Sequence, residues 1–343
     1  MPRDVHDIKR QIVVDKRFED IIKCLKGIKL PDSPNYLDLT PMTDIVPEGK
    51  VIKMEEKNAY DMSVDNGLKL AMDSSTAICA YDESIAAYEA LEGHAVCVSH
   101  ALVYVCPDDY IPINYITLRF FTRSSAIGEK MGESAIVAEN TSHASMICIA
   151  KDKIDFLEDN CIDNSILLVD GPLIAGDGYT TFLPQIKRFC ERNILSAFFV
   201  KNSRSNMVVD YVVELKGKYN SDMHWANEVL KPGQRSSFFE YTDSNNAENS
   251  KVFCYMKFFN NTAPVRLEFP KRIYKQFESI INNIVDLAYY LLLVQGDKKN
   301  PQIRPIAVAE KFARETLKVI DVNKEIRKAG LIPTMNENRW GEL

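Results

Sequence analysis

The segment "SILLVDGPL" places a carboxylate, Asp170, directly after a run of four apolar residues, Ile166 to Val169. Such a run is typical of a strand that is buried on both faces, as in the parallel part of an α/β sheet. A predicted helix near Thr181–Arg192 and a second apolar run, "ILSAFFVK" (194–201), follow it. This strand–helix–strand order predicts two parallel strands, with Asp170 at the carboxyl edge of the first.

The elements around this unit predict a mixed sheet. Three segments predict a meander of strands before it: "GLKLAMDSST" (67–76), "HAVCVSHALVYVC" (94–106) and "YITLRFFTR" (115–123). A helical pattern runs from Glu129 to about Asp159, and a strand pair (251–259 and 265–269) and two helices (272–295 and 306–320) follow the parallel unit. A meander, then a helix, then parallel strands is the element order of ribonuclease-H-like nucleases, so we predict an α/β fold with a mixed sheet flanked by helices.

Composition narrows the class of protein. The 343 residues are 46% hydrophobic and 26% charged, without an apolar run long enough to span a bilayer, and the charged N-terminus lacks a signal-peptide core, which predicts a globular cytoplasmic protein. The eight cysteines form no C-x-x-C pair, so reduced thiols are expected and a zinc site is not. A net charge of −6 offers no global attraction to nucleic acid.

The predicted domain organisation has three parts. Residues 1–60 are expected to form an N-terminal extension, with a charged helix around Asp7 to Lys26 and a proline-bearing linker. Residues 61–325 are expected to form the main domain and residues 326–343 a tail.

Two predicted strands end on aspartate, at Asp73 and at Asp170. If both strands are central, the two carboxylates meet, and buried carboxylates repel each other unless a cation neutralises them. Ligands that are all oxygen favour Mg²⁺ or Mn²⁺ over zinc or copper. The alternative is turn chemistry, because Asp-Ser and Asp-Gly commonly end strands.

The helix between these strands offers a third carboxylate. Glu139 shares a stripe at spacings of three and four, whereas Glu133 lies on another side. The other members of the stripe are Ile136, His143, Met146, Ile147, Ala150, Ile154 and Leu157. An unpaired buried glutamate is costly, so Glu139 on this stripe indicates a partner such as a metal. The alternative is that this end of the stripe is solvated.

The chain resembles the NurA nucleases in a set of segments that occur in the family's order between about residues 65 and 320. These are "AMDSST", the helix with Glu139, "ILLVDGPL", "AFFVKNSRS", "VLKPGQRSSFF", "APVRLEFP" and "PIAVAEKFA". The resemblance implies a ribonuclease-H-like (PIWI-like) fold in which Asp73, Glu139 and Asp170 hold divalent manganese or magnesium. The first family motif is commonly D-G-S and here reads Asp73-Ser74-Ser75, and Glu310 takes the place of a histidine that the family often carries.

The resemblance also implies an activity and partners. We expect a metal-dependent DNA nuclease that hydrolyses phosphodiesters with two Mn²⁺ or Mg²⁺ ions, forms a homodimer and works with the hexameric ATPase HerA in DNA end processing or repair. Glu310 is expected as a fourth metal ligand; the alternative is a solvated residue paired with Arg314. The residues expected to contact DNA are Lys201, Arg204, Arg235, Arg266 and Tyr179, with Lys231 more easily interpreted as a solvated surface charge.

Two other classes of protein compete with this interpretation. A haloacid-dehalogenase-type phosphatase needs a D-x-D-x-T motif, and Asp170 is followed instead by Gly171 and Pro172. A non-catalytic NurA-like subunit that binds HerA or DNA, as in a phage-defence complex, is the alternative favoured by Glu310 and by the altered first motif.

Overall fold

The computed structural model describes residues 49–73, 75–106, 109–173, 182–201, 203, 205–211, 215–244, 250–295, 302–319 and 324. All of them belong to the second of two compact units, residues 36–343. The predicted helix around residues 7–26 lies outside the described residues. None of the helices in the described ranges combines the length and the apolar character that a membrane span needs.

The described residues form one sheet with twelve strands and several helices. The strands are β1 (Gly49–Lys53), β2 (Ala59–Asp61), β3 (Ala77–Ala90), β4 (Gly93–Val105), β5 (Tyr110–Thr122), β6 (Ala135–Val137), β7 (Ser165–Asp170), β8 (Leu195–Val200), β9 (Gln234–Ser236), β10 (Phe239–Asp243), β11 (Ser250–Lys257) and β12 (Val265–Pro270). The α-helices are α1 (Val64–Ala71), α2 (Ser125–Met131), α3 (Thr141–Asn160), α4 (Leu183–Glu191), α5 (Asp222–Val229), α6 (Lys271–Gln276), α7 (Ile281–Gln295) and α8 (Arg304–Val319).

The strand order is β1-β10-β11-β12-β8-β7-β3-β4-β5-β6, with β9 paired to β11 and to β2. The central strands β3, β7 and β8 are parallel to one another, and β3, β4 and β5 form an antiparallel meander. Helix α3 connects the meander to β7, which lies beside β3. This arrangement confirms the predicted mixed sheet of the ribonuclease-H-like type.

The first strand of the meander is not where the sequence predicted it. Residues 64–71 form α1, capped by the Ser63 side chain, which accepts a hydrogen bond from the Asn66 N–H. The Gly67 backbone packs so closely on α7 that an added Cβ would lie 2.2 Å from the Asp286 carbonyl oxygen. The apolar residues Leu70 and Ala71 pack against the main core as a helix face. The prediction of a strand over residues 67–76 is therefore wrong, and the first meander strand is β3.

The sheet also includes residues from the stretch expected to be an extension and linker. β1 pairs with β10, and β2 pairs with β9. Their pairing is antiparallel, and Val51 of β1 is buried in a second core that contains Trp225. Residues 49–61 thus contribute strands to the same sheet as the site.

The predicted parallel unit is confirmed. β7 spans Ser165–Asp170, and Ile166–Val169 are buried, as the apolar run predicted. β8 is buried throughout, and α4 covers it with Ile186, Phe189 and Cys190. The buried core places the carboxyl ends of β7 and β8 at one edge of the sheet.

Candidate metal centre

Three carboxylates meet at the carboxyl edge of the parallel strands. They belong to Asp82 of β3, Asp170 of β7 and Glu310 of α8, and one oxygen of each lies within 4.8 Å of the others. All three side chains are half-buried. Within the described part of the chain this is a group of acidic residues close enough to share one cation.

Strand register explains the meeting of the two aspartates. β3 pairs with β7 in parallel, with Tyr81 opposite Val169, so the next residues along the two strands are Asp82 and Asp170. Residues that alternate along a strand point to opposite faces, so Asp82 points away from the face of Tyr81 and Glu83. Helix α8 packs across β3 and β4 on that side and contributes Glu310.

The opposite face of β3 is fixed by a polar network. The Tyr81 hydroxyl donates to Glu83 Oε2 at 2.5 Å and also lies 2.7 Å from His100 Nδ1. Lys153 of α3 lies 3.8 Å from the Glu83 carboxylate and over the Tyr81 ring. Burial alone would raise the pKa of Glu83, but Lys153 and the Tyr81 hydrogen bond hold it below its ordinary value. Glu83 therefore stays ionised in this network.

The carboxylate cluster is electrostatically strained. Burial, followed by repulsion from Asp170 and Glu310, raises the pKa of Asp82 from 3.8 to about 7, although the Glu83 N–H and Lys201 oppose the shift. A bound divalent cation relieves such repulsion directly. Burial first, and the neighbouring carboxylates second, thus disfavour the ionised form of Asp82 in this cluster.

Basic and amide groups contact the cluster from one side. Lys201, which directly follows β8, places its Nζ 2.6 Å from Asp170 Oδ2 and 3.9 Å from Glu310 Oε2. Gln302 Nε2 donates to Glu310 Oε2 at 2.7 Å, and Arg314 pairs with Glu310 one helical turn on. Glu310 therefore makes the ion pair with Arg314 that the alternative interpretation expects, but it is half-buried and also lies in the cluster.

The donor set fits a hard divalent cation. Three carboxylates supply oxygen ligands only, which suit Mg²⁺ or Mn²⁺ and disfavour metals that prefer nitrogen or sulfur. The spacing of the oxygens lets all three approach a single ion within ordinary coordination distances. Asp82, Asp170 and Glu310 are therefore the residues that would hold the metal.

A buried ion cluster holds the two loops that follow the site strands. Glu268 of β12 is fully buried; its Oε1 accepts from Lys251 and Arg266, and its Oε2 accepts from the Leu173 N–H at 2.8 Å. Arg266 also donates to the hydroxyls of Ser203 and Ser205. Because Leu173 follows Asp170 and Ser203 follows Lys201, this cluster positions both site residues.

Asp73 does not join the carboxylates. It lies in the turn between α1 and β3, where Ser75 donates to its carboxylate through both its N–H and its hydroxyl and lowers its pKa. The β3–β7 ladder begins at Ala77 opposite Ser165 and ends near Asp170. Five residues at about 3.3 Å each separate its ends by about 17 Å. Asp73 therefore lies at the opposite edge of the sheet. Its contacts with Ser75 are those of a turn residue.

Glu139 is also placed away from the cluster. The span 129–159 is not one helix: residues 129–131 end α2, Ala135–Val137 form β6, and α3 begins at Thr141, capped by Asn140. Glu139 precedes the helix and is exposed. Since Lys153 of α3 contacts Glu83, α3 lies on the face of the sheet opposite Asp82. The predicted inward stripe is confirmed only farther along, at Ala150, Ile154 and Leu157.

The predicted DNA-contacting residues divide into three groups. Arg235 and Arg266 are buried and saturated: Arg235 makes two hydrogen bonds to Glu55 and lies between the rings of Tyr60 and Phe238. Lys201 lies at the cluster, and Lys231 is exposed. Arg204 and Tyr179 lie outside the described residues. Both guanidinium groups are used in buried ion pairs, and contact of Arg235 and Arg266 with DNA stays a prediction.

Asp82 is the site residue that the sequence prediction missed. The signal was its place in "AICAYDESIAAYEA", where one face of the strand carries small residues (Ala80, Ser84 and Ala86) and a single charge. Asp82-Glu83-Ser84 also matches the D-G-S motif at its first and third positions, as Asp73-Ser74-Ser75 does.

These strands and this cluster define a ribonuclease-H-like protein with a carboxylate centre at the carboxyl edge of its parallel strands. The NurA nuclease of Sulfolobus solfataricus has the same fold, with 10% identity over 92% of this chain and 95% of that chain and a TM-score of 0.52. A NurA structure with manganese matches at 10% identity over 75% and 95% of the two chains, with a TM-score of 0.39. Ciona intestinalis endonuclease V in complex with DNA matches at 12% identity over 73% and 89%, with a TM-score of 0.36.

A family model matches part of the sequence. Residues 162–315 match the family model of the NurA domain, which confirms the predicted resemblance to the NurA nucleases. This stretch contains Asp170, Lys201 and Glu310, whereas Asp82 precedes it. No curated protein matches the chain in sequence.

Proposed function

We propose that this chain is a divalent-metal-dependent DNA nuclease that hydrolyses phosphodiester bonds. The observation that carries the proposal is the cluster of Asp82, Asp170 and Glu310 within 4.8 Å at the carboxyl edge of a ribonuclease-H-like sheet. Its support is the NurA domain match over residues 162–315. The matching structures include a NurA nuclease and a NurA with manganese, and we carry both properties to this chain as part of the proposal.

The residues take distinct parts in the proposed reaction. The metal ligands are Asp82, Asp170 and Glu310, which hold two Mn²⁺ or Mg²⁺ ions in this proposal. When bound, such ions supply a water of lowered pKa and charge to stabilise the leaving oxygen. Lys201 lies beside two of these carboxylates and supplies a basic group for a substrate phosphate. Glu268 and Arg266 keep the loops after Asp170 and Lys201 in place.

The substrate and the partners belong to the same proposal. DNA, cut by single-strand endonuclease and exonuclease action, is the substrate class that the NurA family suggests. An acidic chain with a net charge of −6 holds DNA weakly, so we propose a homodimer that receives the strand from a HerA-type ATPase. We also propose that the protein acts in the cytoplasm, in DNA end processing or repair. A role in phage defence is the alternative.

A cleavage assay tests the proposal. Purified full-length protein is incubated with end-labelled single-stranded DNA and linear duplex in Mn²⁺, in Mg²⁺ or in EDTA, with and without a HerA partner. We expect metal-dependent cleavage that Asp82→Asn and Asp170→Asn each reduce at least about a hundredfold, because each removes a charged ligand. Asp73→Asn and Glu139→Gln are matched controls that remove the same charge away from the cluster and keep activity.

The opposite result separates the alternatives. Absence of cleavage in every condition, with the protein folded and able to bind DNA or HerA, would support the non-catalytic NurA-like subunit. Loss of activity in Asp73→Asn with retention in Asp82→Asn would contradict the site proposed from the structure.

A further inference from the structure

One lysine faces the carboxylate cluster from the protein side. The Lys201 ammonium lies 2.6 Å from Asp170 Oδ2, within direct ion-pair distance, and 3.9 Å from Glu310 Oε2. These are two of the three carboxylates that would hold a metal. The ammonium therefore competes for the same oxygens as a divalent cation.

The surroundings make this ion pair stronger than a surface pair. The Lys201 side chain is 30% exposed and that of Asp170 is 13% exposed. The apolar side chains of Phe199, Phe258 and Leu292 line the pocket beside the two charges. Ion pairs with little water around them attract more strongly than fully solvated pairs.

The other basic contact of the cluster is different. In the described part of the chain Arg314 pairs with Glu310 and is 66% exposed, so it lies on the solvent side of α8. Its charge is screened and it does not contact Asp170. Arg314 thus offers a control for the general effect of removing a positive charge near the cluster.

We propose that the Lys201 ammonium occupies the cation position of the metal-free protein, and that a divalent ion must displace it to bind Asp170 and Glu310. Without metal, the Lys201 ammonium then offsets the negative charge of the carboxylate cluster. Because a metal ion must compete with this ammonium, Lys201 lowers the metal affinity of the site. This inference rests on the metal site of the proposed function and adds the group that regulates it.

A thermodynamic cycle tests the inference. Mn²⁺ is titrated calorimetrically into EDTA-treated, dialysed full-length protein, as wild type and as Lys201→Met, which keeps the aliphatic stem and removes the charge. We expect Lys201→Met to bind Mn²⁺ about tenfold more tightly, equivalent to about 1.4 kcal/mol, because no ammonium has to leave. Arg314→Met and Lys187→Met, which remove exposed charges, are expected to change the affinity less than about threefold.

Stability measurements close the cycle. Without metal, Lys201→Met is expected to unfold at lower denaturant than wild type, because three carboxylates lose their counter-charge. In saturating Mn²⁺ the two proteins are expected to be equally stable, because the lysine is displaced in one and absent in the other. Lys201→Gln replaces Lys201→Met if the methionine variant does not fold.

The outcomes distinguish this inference from the proposed function. Wild-type protein that does not bind Mn²⁺ would overturn both the metal site and the role of Lys201. Wild-type binding with equal or weaker binding in Lys201→Met would overturn the displacement alone and leave the metal site standing.

Discussion

Asp82→Asn is expected to stabilise the metal-free protein while abolishing its metal response. Burial and the neighbouring carboxylates raise the pKa of Asp82 from 3.8 to about 7 in the folded protein. A shift of this size corresponds to about 4 kcal/mol of unfavourable interaction for the ionised form. Because the asparagine amide stays partly buried and keeps only some of the aspartate's hydrogen bonds, we expect a net gain of about 1–3 kcal/mol.

The pH dependence fixes the sign of this effect. Between pH 3.8 and about 7 the folded state binds the Asp82 proton and the unfolded state releases it, so the stability of the wild type falls as pH rises through this window. The gain from Asp82→Asn is therefore largest above pH 7 and vanishes below about pH 4. The assay is urea unfolding in EDTA at pH 5 and pH 8, followed by the fluorescence of the buried Trp225.

Asp73→Asn is the matched control, with the opposite sign. Hydrogen bonds from Ser75 lower the pKa of Asp73, so its ionised form is favoured in the folded state and the amide brings no gain at pH 8. Addition of Mn²⁺ should stabilise the wild type and Asp73→Asn, and leave Asp82→Asn nearly unchanged. Equal stability of Asp82→Asn and wild type at both pH values would refute the reasoning that the cluster is electrostatically strained.

Three further variants test the supporting structure. Glu268→Gln is expected to destabilise the protein by about 3–5 kcal/mol, because it leaves buried Lys251 and Arg266 without their shared carboxylate, and thermal unfolding measures this. Arg235→Met is expected to cost a similar amount through Glu55, while the DNA affinity of the folded fraction, measured by anisotropy, stays within about twofold of wild type. Glu310→His is expected to keep Mn²⁺ binding and to gain affinity for Ni²⁺ over Mg²⁺ in competitive titrations, because imidazole nitrogen replaces one oxygen ligand. Unchanged melting of the first two variants, or an unchanged metal preference of the third, would contradict these assignments.

The parallel half of the sheet could be predicted from the sequence because its strands are buried on both faces. β7 and β8 consist of short apolar runs, and a helical segment between them indicates that they are parallel neighbours. The carboxylate that ends β7, Asp170, was therefore placed correctly at the sheet edge. The end of a buried strand is a strong local signal.

The first strand could not be predicted in the same way. β3 is rich in alanine and glutamate, residues of low strand propensity, and its conformation depends on pairing with β4 and β7. The preceding segment, residues 64–71, has an apolar pattern short enough to fit either a strand or a helix. The close packing of Gly67 against α7 favours the helical conformation of this segment. The predicted strand therefore ends at Asp73, whereas the aspartate of β3 that lies in the carboxylate cluster is Asp82.

The burial of the arginines could not be predicted for a different reason. Sequence alone does not show whether an arginine is solvated or paired in the interior. Arg235 and Arg266 find their partners, Glu55 and Glu268, only through strand pairing and long-range contacts. Glu310 is predicted at the site only from the family resemblance. The sequence around it does not indicate which face of α8 it occupies.

The central claim is that Asp82, Asp170 and Glu310 together bind a divalent metal ion. Anomalous diffraction from crystals of the wild-type protein soaked in Mn²⁺, collected at the manganese edge, tests it most directly. We expect an anomalous peak within coordination distance of all three carboxylates, with the Lys201 ammonium moved away from Asp170. A manganese peak at Asp73 or Glu139, with the cluster still closed on Lys201 at saturating Mn²⁺, would contradict it.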